Sequence, residues 1–438
     1  MTIGGGAGDQ AEPAPGPRLN LASLVLCLLG NFLLRAAAGA AGTLISLYLA
    51  SLQRSGLPVK ALVVGSAAML FYAAELLGSL GFGLWSDLKG RKPFMVLGPV
   101  LGGLAVQAIF VAPTIPLVLL ARMFQGLSTA SSVPSTLSYL SAETGQSPKL
   151  QGRVMSSFEV ASIVGMAGGF AAGGVLWDAL HHTAFLVVVG AYAASLVLLL
   201  FVRDYHSVAG RAPKVRHYLA CLRSRAALRL IPAWVAVNAI VGLWFSQMVF
   251  QMGKASDPTQ LLVGGFTGRQ IGLYTGGLAL LFVVGIGLWS LAFGRLRATQ
   301  IMSLALGGLF ALVGLVFLLN HTAPGDHARI IALIALACAG LLVLSGFTPA
   351  ALVYLAGLAD EFPETRGSIM GLYSVFLGVG QFLGSGLGGY FADWRGVDGM
   401  IVLTALLGIV SALCVATLVH SEDQYATPQH AQLRPRLH

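Results

Sequence analysis

Long apolar runs constrain this chain more than any other feature. Along its 438 residues they fall at about 19–50, 60–84, 93–113, 115–139, 154–178 and 184–202, then at about 230–252, 271–294, 300–320, 329–358, 367–392 and 400–419. A bilayer core roughly 30 Å thick takes about 20 apolar residues per helix, so each run can cross it. Only helices and closed barrels satisfy the backbone in lipid, and the alternation of a barrel strand is missing. The expectation is an all-α membrane protein with twelve transmembrane helices. Composition agrees, because 56% hydrophobic residues, 10% charged residues and a mean hydropathy of +0.81 lie outside the range of soluble domains.

The segments between the runs set the domain plan. Residues 1–18 are rich in Gly and Pro and read as a disordered tail. The run after them is too long for a signal-peptide core, so it is expected to stay as helix 1. Residues 19–202 form a first six-helix bundle, 203–229 a basic linker, 230–420 a second bundle and 421–438 a tail. Eighteen of the 26 lysines and arginines lie in segments on the side of the two ends, and six lie in the opposite loops. By the positive-inside rule both ends are cytoplasmic. A short-looped chain without appended domains suits a bacterial inner membrane. The formal charge of +9 is spread over loops, which argues against nucleic acid as partner. Its densest part, Arg203 to Arg229, suits anionic lipid headgroups.

The two halves repeat each other. Gly83-Leu-Trp-Ser-Asp87-Leu-Lys-Gly90-Arg91 recurs 204 positions later as Gly287-Leu-Trp-Ser-Leu291-Ala-Phe-Gly294-Arg295. Pro134-Ser-Thr-Leu-Ser-Tyr139 recurs 215 later as Pro349-Ala-Ala-Leu-Val-Tyr354. At that second offset Gly169, Gly173, Gly174 and Asp178 match Gly384, Gly388, Gly389 and Asp393. The fold is therefore expected as two pseudo-symmetric six-helix bundles, a plan in which one half rocks on the other and exposes a midplane site to each side in turn.

The segment Gly83, Asp87, Gly90, Arg91 and Lys92, placed after the second run, resembles the loop G-x-x-x-D-x-x-G-R-[RK] of the major facilitator superfamily. The resemblance implies that family's fold and makes Asp87 and Arg91 gating residues between the halves. Arg122-Met-Phe-Gln125-Gly126 resembles the family's R-x-x-Q-G motif, associated with proton-coupled members. Gly165, Gly169, Gly173 and Gly174 are similar to the antiporter motif G-x-x-x-G-P-x-x-G-G, with Phe170 standing where that motif has Pro. Glycines at this spacing also let two helices pack closely, whatever is transported.

Ionisable groups inside membrane spans cost roughly 2.5 to 3.5 kcal/mol each, so they face a cavity or a partner. Arg35, Glu75, Arg122 and Glu159 stand out, all in the first half. Asn31, Arg35, Gly39, Gly42 and Ser46 form one helical stripe; Arg122, Gln125, Thr129 and Ser132 form another. Glu75 is the candidate proton carrier, or else the permanent ion-pair partner of Arg35 or Arg122. Glu159 lies near the cytoplasmic surface and suits a gate or a solvated role. Two arginines against one central carboxylate favour an anionic or zwitterionic substrate. The second half offers a neutral and aromatic lining in Asn238, Trp244, Gln247 and Tyr373.

No phosphate-binding glycine loop or nucleophile triad suggests an enzyme or an ATP-driven pump. His181-His182 has no further ligands nearby, so neither a metal nor a cofactor is expected. The reading that results is a secondary transporter, a monomer being sufficient, that exports amphipathic or drug-like compounds in exchange for protons. The rivals are a carrier of organic anions or phosphate esters that needs no proton, and a non-transporting sensor or scaffold on the same fold.

Overall fold

The computed structural model describes residues 20–145, 147–203, 225–360 and 366–432, and every long element among them is a helix. The elements are α1 (Leu21–Arg54), α2 (Ala61–Lys89), α3 (Lys92–Val111), α4 (Ile115–Thr144), α5 (Pro148–Leu180), a 3-10 turn (His181–Thr183) and α6 (Ala184–Leu200). The second half adds α7 (Arg225–Gly253), α8 (Gly268–Ser290), α9 (Ala298–Asn320), α10 (His327–Leu344), α11 (Phe347–Asp360) and α12 (Arg366–Gln432). Within α12 the backbone leaves helical geometry at Arg395 and Gly396, so 366–394 and 397–432 are separate helices. Residues 1–19, most of the basic linker, 361–365 and the last residues of the tail lie outside the described residues.

Nine stretches among the described residues are long and apolar enough to cross a membrane. Three of them hold parts of two helices: Lys149–Leu200 and Ser374–His420 turn back midway, and His327–Leu355 crosses the break between α10 and α11. Helix α4 is not one of the nine, because Arg122, Gln125 and its serines and threonines dilute its apolar character. Burial is inverted relative to a soluble protein. Leu77 and Ile331 are 71% and 68% exposed, whereas Gln247 and Gln251 are 0% exposed. Apolar surface turned outward is stable only against lipid.

Several boundaries differ from the sequence reading. The run expected at 329–358 is broken between α10 and α11, where the indole of Trp289 packs against Gly346 and its Nε1 donates to Leu342 O at 2.9 Å. Helix α7 begins at Arg225, inside the expected linker, and α12 continues to Gln432, past the expected end at 420. The reason is general: apolar patterning marks where side chains meet lipid, while a helix propagates as long as each added residue gains a hydrogen bond.

Glycine fixes how the helices pack, and the two halves do it alike. Helix α5 lies on α1, and segment 366–394 lies on α7. A Cβ on Gly165 would sit 2.6 Å from Phe32 O, and one on Gly380 would sit 2.6 Å from Val235 O. One turn on, Gly169 meets Ala36 O and Gly384 meets Ala239 O more closely still. The next rung repeats at Gly173 against Ala40 and Gly388 against Leu243. Each rung of α1 returns in α7 after 203 positions. The turns after α2 and α8 also match, Gly90 and Gly294 having φ of +95° and +91°, which a side-chained residue adopts only under strain.

The two halves meet through α5 on α8, α2 on 366–394, and α1 on α7. At the end away from the chain termini, one apolar core joins both halves, with Leu44, Ile109 and Phe185 from the first and Leu243, Phe250 and Met400 from the second. At the other end the cores separate. Leu24, Met95, Tyr139 and Phe158 belong to one, and Leu230, Ile301, Phe347 and Leu418 to the other. Among the described residues, the halves are therefore joined at the far end and part toward the end that bears the termini.

Candidate functional site

The charged residues of the first half converge. Arg35 from α1, Glu75 from α2 and Arg122 from α4 interact electrostatically, with Tyr72 and Tyr192 in the same cluster. Glu75, Arg35 and Arg122 are all half-buried and come from three different helices, so the cluster sits inside the first-half bundle. Arg122 is held on two sides: its Nη1 donates to Gln125 Oε1 at 2.7 Å, and its guanidinium lies 4.6 Å from the centre of the Phe71 ring. That cation–π contact and the charge-assisted bond orient the guanidinium without neutralising it. Among the described residues, neither arginine reaches Glu75 at ion-pair distance.

The polar neighbours are only partly satisfied. Asn31 is 2% exposed and donates to Ser162 Oγ at 2.8 Å, while its Oδ1 has no partner. Gln125 accepts from Arg122, but its Nε2 has none, and neither has Arg35 Nε. Buried polar atoms are normally paired, so three open atoms in one cluster mark a place built for more than packing. Tyr192 and Phe71 belong to the site although sequence reasoning missed them. Each is an aromatic in an apolar helix, where such residues are common, and it carries no signal until the fold brings it to Arg122.

The second-half candidates are more dispersed. Asn238 donates to Trp234 O of its own helix at 2.9 Å and packs on Gly380. Trp244 Nε1 donates to Thr404 Oγ1 at 2.9 Å. Gln247 reaches across the halves and donates to Ala61 O at 3.2 Å, which places it at the far end rather than beside the charged cluster. The side chains of Tyr373 and Asp87 lie outside the described residues. Arg91, the N-cap of α3, is half-buried, as is Lys92, and Gly83 has open space around it. Glu159 is exposed. Gly174 turns away from α1 toward Gly268 and Gly272 of α8, and Phe170, in the place of the motif's Pro, stacks on Phe245 of α7 at 5.7 Å. His182 bonds with Phe110 O and stacks on the Phe110 ring.

A helical bundle of two repeated halves with charged groups in its interior is the plan of a multi-pass membrane transporter. The chain belongs to the Major Facilitator Superfamily, whose model matches residues 27–359 and 265–436. Multidrug resistance protein 2 of Bacillus subtilis is 22% identical over 342 residues, 75% of this chain and 80% of that one. The MFS-type transporter SLC18B1 of Rattus norvegicus is 23% identical over 380 residues, covering 82% and 78%. Among solved structures, the nucleoside transporter NupG aligns with a TM-score of 0.73 at 11% identity, covering 91% of this chain and 98% of that one. A bacterial homolog of the human lysosomal transporter Spinster aligns at 0.64 and 14%, covering 91% and 95%. These likenesses give the family and the fold.

Proposed function

We propose that this chain exports amphipathic or drug-like small molecules in exchange for protons, with Glu75 carrying the proton. The observation that carries the reading is the placement of Glu75 inside the first-half bundle, beside two arginines but at ion-pair distance from neither. A carboxylate locked in a direct ion pair would give up its proton permanently. One that only feels nearby guanidiniums can bind a proton from one side and release it when substrate or conformation changes the local field. Arg122, fixed by Gln125 and Phe71, supplies that field, and Arg35 completes it from α1. The similarity to a multidrug resistance protein supports efflux as the direction.

A second reading draws on the same cluster. Two guanidiniums against one carboxylate leave a net positive cluster, and Arg35 Nε is unpartnered, which suits the carboxylate or phosphate of an organic anion. One experiment separates them. Purified protein in proteoliposomes is given amphipathic cations and organic anions in turn while internal pH is followed, for wild type and Glu75→Gln. Proton movement linked to an amphipathic substrate and absent from the variant supports exchange through Glu75. Anion flux with no proton movement in either protein selects the second reading.

A further inference from the structure

The far end of the molecule carries a pair of contacts that the charged cluster does not explain. Asp178, near the end of α5, accepts hydrogen bonds from the backbone amides of Gly268 (2.8 Å) and Arg269 (2.7 Å), the first two residues of α8. Asp393, at the end of segment 366–394, accepts from the amides of Ala61 (2.6 Å) and Leu62 (3.0 Å), the first two residues of α2. Both pairs of bonds cross from one half to the other, in opposite directions. The two aspartates are 215 positions apart, the offset of the repeat, and each follows a glycine four residues earlier on which the capped helix rests: Gly174 under Gly268, and Gly389 under Ala61 and Leu62.

Electrostatics says what such residues are for. A carboxylate in the last turn of its own helix faces the negative end of that helix's dipole and is unfavourable there. The same carboxylate at the first turn of another helix meets the positive end and satisfies amides that have no partner within the helix. Each aspartate is therefore disfavoured by its own half and favoured by the other, so it stabilises the molecule only while the halves are together. Helix α2 depends on it most, because its own N-cap, Lys60, makes no side-chain capping bond. Helix α8 has a capping box of its own from Thr267 and Gln270.

The geometry points to Asp178 and Asp393 as a paired latch that holds the far end of the transporter closed, one carboxylate on each side of the pseudo-twofold axis. The inference rests on alternating access of the two halves and is independent of the role of Glu75. Opening the far end breaks all four amide bonds, and the joined core between Leu44 and Leu243 must part with them. Losing one cap is expected to shift the closed-to-open ratio about fivefold, and losing both about 25-fold.

The test reads conformation directly, without substrate or proton gradient. Spin labels are placed at the exposed far-end positions Thr183 and Ala323, one in each half, by Thr183→Cys and Ala323→Cys in a background lacking the four native cysteines. Distances are then measured in lipid nanodiscs. Wild type is expected to give one short distance; Asp178→Ala or Asp393→Ala adds a longer population, and the double variant makes it dominant. A folded double variant with the wild-type distribution overturns the latch. Should the double variant not fold, amide hydrogen exchange on the wild type decides. The amides of Ala61, Leu62, Gly268 and Arg269 are expected to open at one common rate, and rates that differ between the two helix starts overturn it.

Discussion

The two halves of this transporter share their mechanics and differ in their chemistry. The glycine ladder of α5 on α1 is reproduced rung by rung in segment 366–394 on α7, with matching carbonyls at the first two rungs. The charges are not reproduced. Through the offsets of the packing, Arg35 corresponds to Asn238, Glu75 to Ala279 and Arg122 to Ala337. The difference teaches that close packing and hinging must be kept on both sides of the axis for the halves to rock. A charge inside the membrane is costly enough to be kept only where it acts. The first half holds the ionisable groups; the second supplies neutral polar groups, of which Asn238 and Gln247 each donate to a backbone carbonyl while Gln247 Oε1 and both side-chain polar atoms of Gln251 have no partner.

That contrast can be broken most sharply at Glu75. Glu75→Gln is expected to abolish substrate-linked proton movement in proteoliposomes while the protein still folds, and adding Ala279→Glu at the corresponding second-half position is not expected to restore it. Restoration would mean that the halves are interchangeable. The shared mechanics predicts a symmetric result: Gly169→Ala and Gly384→Ala, each pressing a methyl into a facing carbonyl, should each lower stability by about 1–3 kcal/mol in thermal unfolding. A large effect in one half alone would show that the ladder matters on one side only. Smaller again is Asn238→Ala, which removes one bond to Trp234 O and should cost about 1 kcal/mol with transport unchanged. Arg35→Gln, at the matching position of the first half, should impair transport at similar stability.

The smallest effect concerns the far-end loop after α7. Asp257 accepts from the side chain and the backbone amide of Thr259, and these bonds hold its carboxyl below the usual 3.8. A depressed carboxyl contributes stability above its ordinary value and loses it as pH falls through the lowered one. Asp257→Asn should therefore be less protected than wild type at neutral pH and converge with it in acid below about pH 4, by hydrogen exchange of residues 254–266.

Much of this was legible in the sequence, for physical reasons that also explain the omissions. Apolar runs had to be long because the bilayer is thick, and the repeat showed because packing glycines tolerate no replacement. Arg35, Glu75 and Arg122 stood out because charges are rare in such runs, and the structure brings them together. Tyr192 and Phe71 had no such contrast. Asp178 and Asp393 were visible as landmarks of the repeat, but a cap is defined by the helix it serves, which lies 90 residues away in one case and more than 300 in the other. The break between α10 and α11 stayed hidden because Trp289, which packs against it, belongs to another helix.

The central claim is that Glu75 exchanges its proton against substrate. The direct measurement is proton release on adding an amphipathic substrate to purified protein in weakly buffered nanodiscs, followed by a pH indicator across a range of starting pH. The account predicts release from wild type, over a pH range in which Glu75 is protonated without substrate, and none from Glu75→Gln that still binds substrate. Equal release from the variant, or binding with no release from wild type at any pH, would contradict it.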